Sequence, residues 1–230
     1  GRLPGGVRLH AVLAPLASPG TCISLRVPAS RTLTLEELRT AGSLTAEALE
    51  LCRLVIARKV PFLISGGTGT GKTTLLAALL AEVPAAERIV VVEDARELTP
   101  RHPHCVRMEG RPPNNEGKGA ITLTTLVRQA LRMRPDRVVL GEVRGAELTD
   151  LLSALNTGHE GGCGTVHANS ITDVPARLEA LAALGGLGRE ACHAQLAAAL
   201  RCCICVAAPM GNAGWQRWGL FSGAQTGWSG

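Results

Sequence analysis

Aromatic residues and long apolar runs are scarce in this sequence. Only 2% of its 230 residues are Phe, Trp or Tyr, and Tyr is absent, whereas hydrophobic residues make up 46%. The core must therefore consist mainly of Leu, Val and Ala. The stretch from Leu196 to Ala208 is interrupted by Arg201 and is too short to span a bilayer. Residues 1–6 are not followed by the apolar segment of a signal peptide. These absences predict a soluble cytoplasmic protein.

No block of Lys and Arg marks a docking strip for nucleic acid or for a membrane. The formal net charge is +5 and the isoelectric point about 9.0. This balance is compatible with nucleic acid, anionic membrane surfaces or nucleotide phosphates. Because the positive charge is dispersed, we expect no specific nucleic-acid partner.

The eight cysteines are irregularly spaced, unlike the disulfide framework of a small secreted domain. Cys202, Cys203 and Cys205 lie close together, but no second Cys or His pair stands at the spacing of a zinc site. We therefore expect eight free thiols, and we expect this cluster to act as small buried hydrophobic residues.

One glycine-rich segment matches the phosphate-binding loop pattern G-x-x-x-x-G-K-[ST] at every fixed position. Its residues are Gly66, Gly67, Thr68, Gly69, Thr70, Gly71, Lys72, Thr73 and Thr74. Glycines let successive N–H groups point at phosphate oxygens, Lys72 can reach the β- and γ-phosphates, and the Thr73 hydroxyl can bind Mg²⁺. A chance turn is the alternative, and a dinucleotide-binding G-x-G-x-x-G fails because Lys72 stands at its third glycine position. The segment predicts a site for ATP and Mg²⁺.

Strands and helices alternate around this loop. Apolar runs and helical spacing predict strands at 7–12, 21–26, 60–64, 88–94, 137–140 and 162–167, and helices that begin at 34 or cover 43–58, 73–80, 122–133, 147–157, 173–184 and 190–200. The order from residue 60 onward predicts an α/β fold whose mostly parallel sheet is covered on both faces. Residues 209–230 show no assignable periodicity.

Acidic residues follow two of the predicted buried strands, at the end where parallel sheets bind ligands. Glu142 has the form of a Walker B acid, which orients water against the γ-phosphate or holds Mg²⁺ through water. Glu93 is a second candidate. An ordinary acid in a strand-to-helix turn is the alternative for both.

Two histidines, His159 and His167, flank a glycine-rich turn. They could sense phosphate charge or bridge to a neighbouring subunit, whereas a lone histidine is more often structural.

The sequence resembles the ATPases of type II and type IV secretion systems, and within them the CpaF-like branch that drives tight-adherence pili. The similar blocks are Gly66–Thr74; Ile89–Asp94 with Glu97, Leu98, His104 and Arg107; Leu131–Glu147; Asn156–Asn169; and, for the CpaF-like branch, Arg111–Asn114 and Glu116–Gly119. Two departures are Val27, where the family often has a second Arg after Arg26, and Cys163, where a Ser or another small residue is usual.

The resemblance implies a RecA-like P-loop NTPase core and a remnant of an α+β N-terminal domain. Residues 1–40 would be this remnant with its linker and 41–205 the ATPase domain. For the atypical tail, 206–230, its composition leaves two alternatives, disorder or a segment unrelated to the preceding domain. It also implies a homohexamer that hydrolyses ATP at subunit interfaces and acts with inner-membrane platform proteins, peripherally at the cytoplasmic face of the membrane.

Residue roles are carried over from the family to matching positions. Glu142 and Glu93 would polarise water beside Lys72, His167 would sense the state of the phosphates, and Arg26 and His159 would contact the nucleotide. A small-molecule kinase and a nucleotide-binding scaffold without hydrolysis remain the alternatives.

Overall fold

The computed structural model describes residues 1, 3, 6–27, 31–207 and 217–222. The chain forms two compact units, Gly1–Thr32 and Leu33–Gly230. In the first unit, β1 (Arg8–Val12) pairs antiparallel with β2 (Cys22–Arg26), which confirms the two strands predicted there. The domain limits predicted from the sequence, 1–40, 41–205 and 206–230, stay predictions.

The second unit is an α/β structure. Its helices are α1 (Leu35–Thr40), α2 (Ala46–Ala57), α3 (Lys72–Ala81), α4 (Leu123–Leu131), α5 (Glu147–Asn156), α6 (Val174–Leu184) and α7 (Arg189–Ala199). Its strands are β3 (Phe62–Gly66), β4 (Ile89–Glu93), β5 (Cys105–Glu109), β6 (Arg137–Val143), β7 (Cys163–His167), β8 (Cys202–Ala207) and β9 (Arg217–Ser222). Thr side chains cap α1, α2 and α4 by accepting a backbone N–H of the first turn, as the capping pattern favours.

All seven strands join one sheet in the order β5-β4-β6-β7-β3-β8-β9. Every neighbouring pair is parallel except β8 and β9, which are antiparallel. This confirms the predicted α/β class and its mostly parallel sheet.

Two hydrophobic clusters cover the two faces of the sheet, because alternate strand residues point to opposite sides. On β3, Phe62 and Ile64 pack with α1, α2 and α3. Leu63, between them, packs with α4 to α7. The buried strands are continuous apolar runs, as expected of a parallel sheet sandwiched between helices.

Three strands were not predicted, namely β5, β8 and β9. The apolar stretch after α7 turns into β8 at Cys202, and Arg217–Ser222 adds an edge strand within the atypical tail, for which disorder was one alternative. The rest of that tail, 208–216 and 223–230, lies outside the described residues. Within the described part of the chain, no helix is long and apolar enough to cross a membrane.

The cysteines match the sequence expectation in part, because Cys202, Cys203 and Cys205, expected to be buried, are only partly buried on β8. All eight are free, and Cys22 is exposed whereas Cys52, Cys163 and Cys192 are buried. Among the residues described, no group of three or more His, Cys, Asp or Glu side chains is arranged to hold a metal ion.

Candidate nucleotide-binding site

The phosphate-binding loop joins the carboxyl end of β3 to the amino end of α3, as predicted. Gly69 and Gly71 have φ angles of +75° and +92°, a region that residues with a Cβ rarely adopt. Gly71 is the residue before the first turn of α3. The Thr70 hydroxyl donates to the Gly67 carbonyl over 3.0 Å and tightens the loop. The glycines are therefore required by the backbone path.

Gly66 is required for a different reason, close approach by a neighbouring strand. A Cβ at this position would collide with the backbone carbonyl oxygen of Val206 on β8 and would lie 2.7 Å from Thr70 Oγ1. Gly66 and Val206 are in register across the parallel β3–β8 pair. The first glycine of the loop thus lies directly against β8.

Lys72 is the first residue of α3, and its side chain folds back over the loop. Its Nζ donates to the carbonyl oxygens of Gly66 and Gly67, over 2.8 and 2.6 Å, and the residue is only 9% exposed. Burial lowers the pKa of Lys72, Glu142 opposes this by raising it, and Arg144 lowers it further. The Lys72 ammonium group is therefore within electrostatic range of the Glu142 carboxylate on β6 and of the Arg144 guanidinium in the turn after β6.

The loop and the start of α3 have the donors expected of a phosphate-binding site. Glycines leave space where side chains would block the backbone N–H groups, and the amino end of α3 favours anions. The Thr73 side chain stands in the first turn of α3 and is partly exposed, so its hydroxyl can reach a cation beside the phosphates. Lys72 supplies the fixed positive charge.

Glu142 lies inside β6, and its carboxylate is held by a neighbour. Arg144 Nη2 donates to Glu142 Oε2 over 2.6 Å. The Glu142 side chain is 29% exposed, so water can reach it. The acid is thus placed at the carboxyl edge of the sheet, as the Walker B assignment predicts, but already paired with a cation.

The turn after β6 is organised by Glu147, at the start of α5. Glu147 Oε1 accepts the backbone N–H groups of Arg144 and Gly145, over 2.6 and 2.7 Å, and Glu147 is 5% exposed. Thr165 on β7 adds a second tie, because its hydroxyl donates to the Gly141 carbonyl over 2.7 Å. We did not assign these roles from the sequence, although Arg144 and Glu147 fall within the Walker B block.

Glu93 ends β4 and is almost fully buried, 3% exposed. Its Oε1 accepts the N–H groups of Glu97 and Leu98, over 3.0 and 2.8 Å. Oε2 accepts no hydrogen bond from the described residues and lies 3.7 Å from Arg107 Nη2. Burial raises the pKa of Glu93, and these two hydrogen bonds and Arg107 oppose the rise. One oxygen therefore organises the turn after β4, and the other faces a cation.

His167 lies along the sheet edge between the phosphate-binding loop and the acidic residues. It is the last residue of β7, which lies between β3 and β6 in the sheet, and it is in register with Gly66. Its position at the carboxyl edge puts it between the phosphate-binding loop and the strand of Glu142. The structure therefore brings together Lys72, Thr73, Glu142, Glu93 and His167 at one edge of the sheet.

His159 lies elsewhere. It precedes β7, on the turn whose Gly162 carbonyl accepts the N–H of Phe62, the first residue of β3. A five-residue strand separates this turn from the carboxyl edge, a distance of roughly 15 Å. His159 Nδ1 is buried and makes no hydrogen bond with the described residues. The structure does not bring His159 together with the loop of its own chain.

Arg26 belongs to the first compact unit. It is the last residue of β2, is exposed, and stands opposite Arg8 in the antiparallel pair. Its contact with a nucleotide stays a prediction.

Residues 1–207 match the family model described as Type II/IV secretion system protein. A Mycobacterium tuberculosis relative whose name refers to conjugal transfer is 60% identical over 201 residues, 87% of this chain and 57% of that protein. The type IV secretion system protein PtlH of Bordetella pertussis is 39% identical over 192 residues, 73% of this chain and 56% of PtlH. The chain thus spans about half the length of the curated relatives it matches.

Solved structures agree on the fold. The VirB11 ATPase of the Brucella suis type IV secretion system, in complex with sulphate, superposes with a TM-score of 0.69 at 26% identity, covering 98% of this chain and 74% of that one. The pilus retraction motor PilT with bound ADP gives 0.67 at 23% identity, covering 95% and 64%. These similarities confirm the RecA-like class of the fold. Together with the family match over residues 1–207, they show that the chain belongs to the type II/IV secretion system protein family.

Proposed function

We propose that this chain is the ATP-hydrolysing core of a secretion or pilus-assembly motor. The observation that carries the proposal is the convergence of Lys72, Glu142 and His167 at one sheet edge, around a loop whose glycines leave room for phosphates. Each element has a role in phosphoryl transfer to water. The family membership supports the coupling of this chemistry to transport.

The residues divide the work of hydrolysis. Lys72, now bonded to two loop carbonyls, exchanges these for phosphate oxygens, and the amide groups at the start of α3 hold the anion. Thr73 and, through water, Glu142 would hold Mg²⁺, which neutralises charge on the β- and γ-phosphate oxygens when bound. Glu142 orients the attacking water, and Glu93, on the neighbouring strand β4, supports this role of Glu142. His167, at the end of β7, senses the charge of the phosphates.

The assembly belongs to the same proposal. A homohexamer closed by head-to-tail contacts would place each nucleotide between two subunits, where Arg26 would supply positive charge that Lys72 alone does not. Arg107, Arg132 and Arg134 are alternative sources of this charge by sequence, and Arg107 faces Glu93 within its own chain. We place the ring peripherally at the cytoplasmic face of the inner membrane, with platform proteins of a secretion or pilus system as partners and no specific nucleic acid.

A pair of variants tests the hydrolysis. Lys72→Ala should abolish turnover and weaken ATP binding, because the positive charge that Lys72 places beside the β- and γ-phosphates is lost. Glu142→Gln keeps shape and loses charge, so ATP should still bind while kcat falls by about two orders of magnitude or more. Phosphate release and nucleotide binding are the measurements. Unchanged turnover in Lys72→Ala would refute the assignment, and transfer of phosphate to an added sugar or nucleoside would favour a kinase.

The shared site is tested separately. Specific activity should rise with protein concentration, and ATP should promote association seen by sedimentation. Arg26→Ala should lower kcat more than ATP affinity. A monomer with concentration-independent activity would rule out hydrolysis at subunit interfaces.

A further inference from the structure

One guanidinium joins the acids of two neighbouring strands. Arg144 Nη2 donates to Glu142 Oε2 over 2.6 Å, and Nη1 lies 3.8 Å from Asp94 Oδ2. Asp94 directly follows β4, which pairs with β6. Charge-assisted hydrogen bonds of this length are among the stronger ones in proteins. The Glu142 carboxylate is therefore engaged before any water is polarised.

The backbone that carries Arg144 is held by hydrogen bonds to Glu147, whereas its side chain is more than half exposed. Buried Glu147 accepts the N–H groups of residues 144 and 145 through a single oxygen. A Cβ at Gly145 would lie 3.1 Å from the other oxygen of Glu147. The Arg144 side chain is 57% exposed, so it can change partner without moving the turn.

Arg144 also acts on the lysine of the loop. The pKa of Lys72 is raised by Glu142 and lowered by Arg144, so both charges lie within electrostatic range of the ammonium. A phosphate held by Lys72 would enter the field of Arg144. Arginine pairs with phosphate as well as with carboxylate, through the same planar fork of donors.

We propose that Arg144 is a positioning residue that restrains Glu142 and exchanges this carboxylate for the terminal phosphate of a nucleoside triphosphate. The exchange presupposes the ATPase function proposed above. A terminal phosphate carries more negative charge than a carboxylate and competes for the guanidinium. Release of Glu142 then coincides with arrival of the γ-phosphate, and a diphosphate, which lacks that group, leaves the ion pair in place.

A double-mutant cycle on binding tests this exchange without relying on turnover. Affinities for ADP and for a non-hydrolysable ATP analogue are measured by calorimetry, with Mg²⁺ throughout, for the unchanged protein, Glu142→Gln, Arg144→Gln and the double variant. Glu142→Gln should tighten the analogue about tenfold, because the guanidinium then keeps only a neutral amide oxygen and the longer contact with Asp94. Arg144→Gln should weaken the analogue about tenfold, and ADP should change less than twofold in both.

The double variant separates this mechanism from simple repulsion. If Glu142 acts through Arg144, Glu142→Gln should give no gain in the Arg144→Gln background. An equal gain in both backgrounds would mean that the carboxylate repels phosphate directly, and would overturn the proposal. Equal loss of ADP and analogue affinity in Arg144→Gln would overturn it as well. Arg144→Lys should restore part of the analogue affinity, because charge remains but the planar fork is lost.

A matched control is available in the Arg128–Asp150 pair. Arg128 Nε lies 2.8 Å from Asp150 Oδ1, and Arg128 is 67% exposed, so Arg128→Gln breaks a comparable exposed ion pair between α4 and α5. It should leave both affinities unchanged. If the unchanged protein binds neither nucleotide, the proposed function and this inference are both wrong. If it binds and hydrolyses ATP while Arg144→Gln discriminates like the unchanged protein, only the inference fails.

Discussion

Gly141→Ala should displace the carboxylate of Glu93 without altering any charged residue. Gly141 lies on β6, and a Cβ there would stand 2.6 Å from Glu93 Cγ, 3.2 Å from Oε1 and 3.3 Å from Cδ. All three nearest atoms belong to this one side chain. Because Glu93 is pinned by the N–H groups of Glu97 and Leu98, it cannot retreat without breaking these hydrogen bonds.

The cost follows from these contacts. Inserting one methyl group into a packed core costs about 1–3 kcal/mol, and partial loss of the two hydrogen bonds places the expected value near the upper half of that range. For a protein of this size, about 2 kcal/mol lowers the melting temperature by roughly 4–8 °C. If Glu93 supports catalysis, kcat should fall while ATP affinity changes little, since Lys72 and the loop are untouched.

Chemical denaturation and steady-state ATP hydrolysis test both the contact and the catalytic role of Glu93. Four proteins are compared: the unchanged chain, Gly141→Ala, Glu93→Ala and the double variant. In the Glu93→Ala background the atoms that the new Cβ would meet are gone. Gly141→Ala should there be neutral or stabilise by about 0.5 kcal/mol, because glycine is a poor strand residue. A cost that persists in the double variant would refute the account of a Gly141–Glu93 contact. Normal kcat in the destabilised Gly141→Ala would refute the catalytic role of Glu93.

Three further outcomes are expected. Arg137→Met should lower the free energy of unfolding by about 3–5 kcal/mol in denaturant titrations, because Arg137 is 1% exposed and its Nε lies 2.7 Å from Glu87 Oε2. A loss below about 1 kcal/mol would contradict this prediction. Burial raises the pKa of Glu93, so the unfolded state ionises first and the native protein loses stability as pH rises from the ordinary Glu pKa of about 4.3 towards the raised one. The melting temperature of Glu93→Gln minus that of the unchanged protein should therefore grow with pH across that window, and a flat difference would exclude the effect. Mass spectrometry without reductant should find eight thiols, with Cys22 alkylated first and Cys163, whose pKa burial raises to about 12, reacting only after unfolding.

The parts of the site that sequence could predict are those in which local chemistry dictates residue type. The loop from Gly66 to Thr74 is defined by backbone conformation and one lysine, and both are visible as a pattern. Glu142 was found because an acid after a buried strand lies where parallel sheets bind ligands. These features depend on a few neighbouring residues, so no long-range contact had to be known.

The two histidines lie towards opposite ends of β7. His159 precedes β7 and His167 ends it, so the rule that ligands meet the carboxyl ends of parallel strands separates them. Both were predicted to sense phosphate charge or to bridge to a neighbouring subunit, and for His159 a contact with the nucleotide stays a prediction. Strand direction, once the strand is placed, was sufficient to distinguish them.

The remaining elements depended on tertiary contacts. Cys202–Ala207 continues the apolar composition of α7, and short apolar runs do not distinguish helix from strand. The bond between Arg144 and Glu142 depends on side-chain conformations that spacing alone does not determine. The contact between Gly141 and Glu93 joins β6 to β4, far apart in the chain.

The contact of Gly66 with β8 sets a limit on how small a working fragment of this protein can be. The carbonyl oxygen of Val206 occupies the space that a side chain at Gly66 would need, so one wall beside the start of the loop is built from the main chain of a segment 140 positions later. A fragment that stops at α7 would keep every motif residue and still lose this wall. Because the contact uses backbone, it does not itself restrict the residue type at position 206, whose side chain is buried in the hydrophobic core. A one-residue insertion in β8, in contrast, would shift the wall and deform the loop.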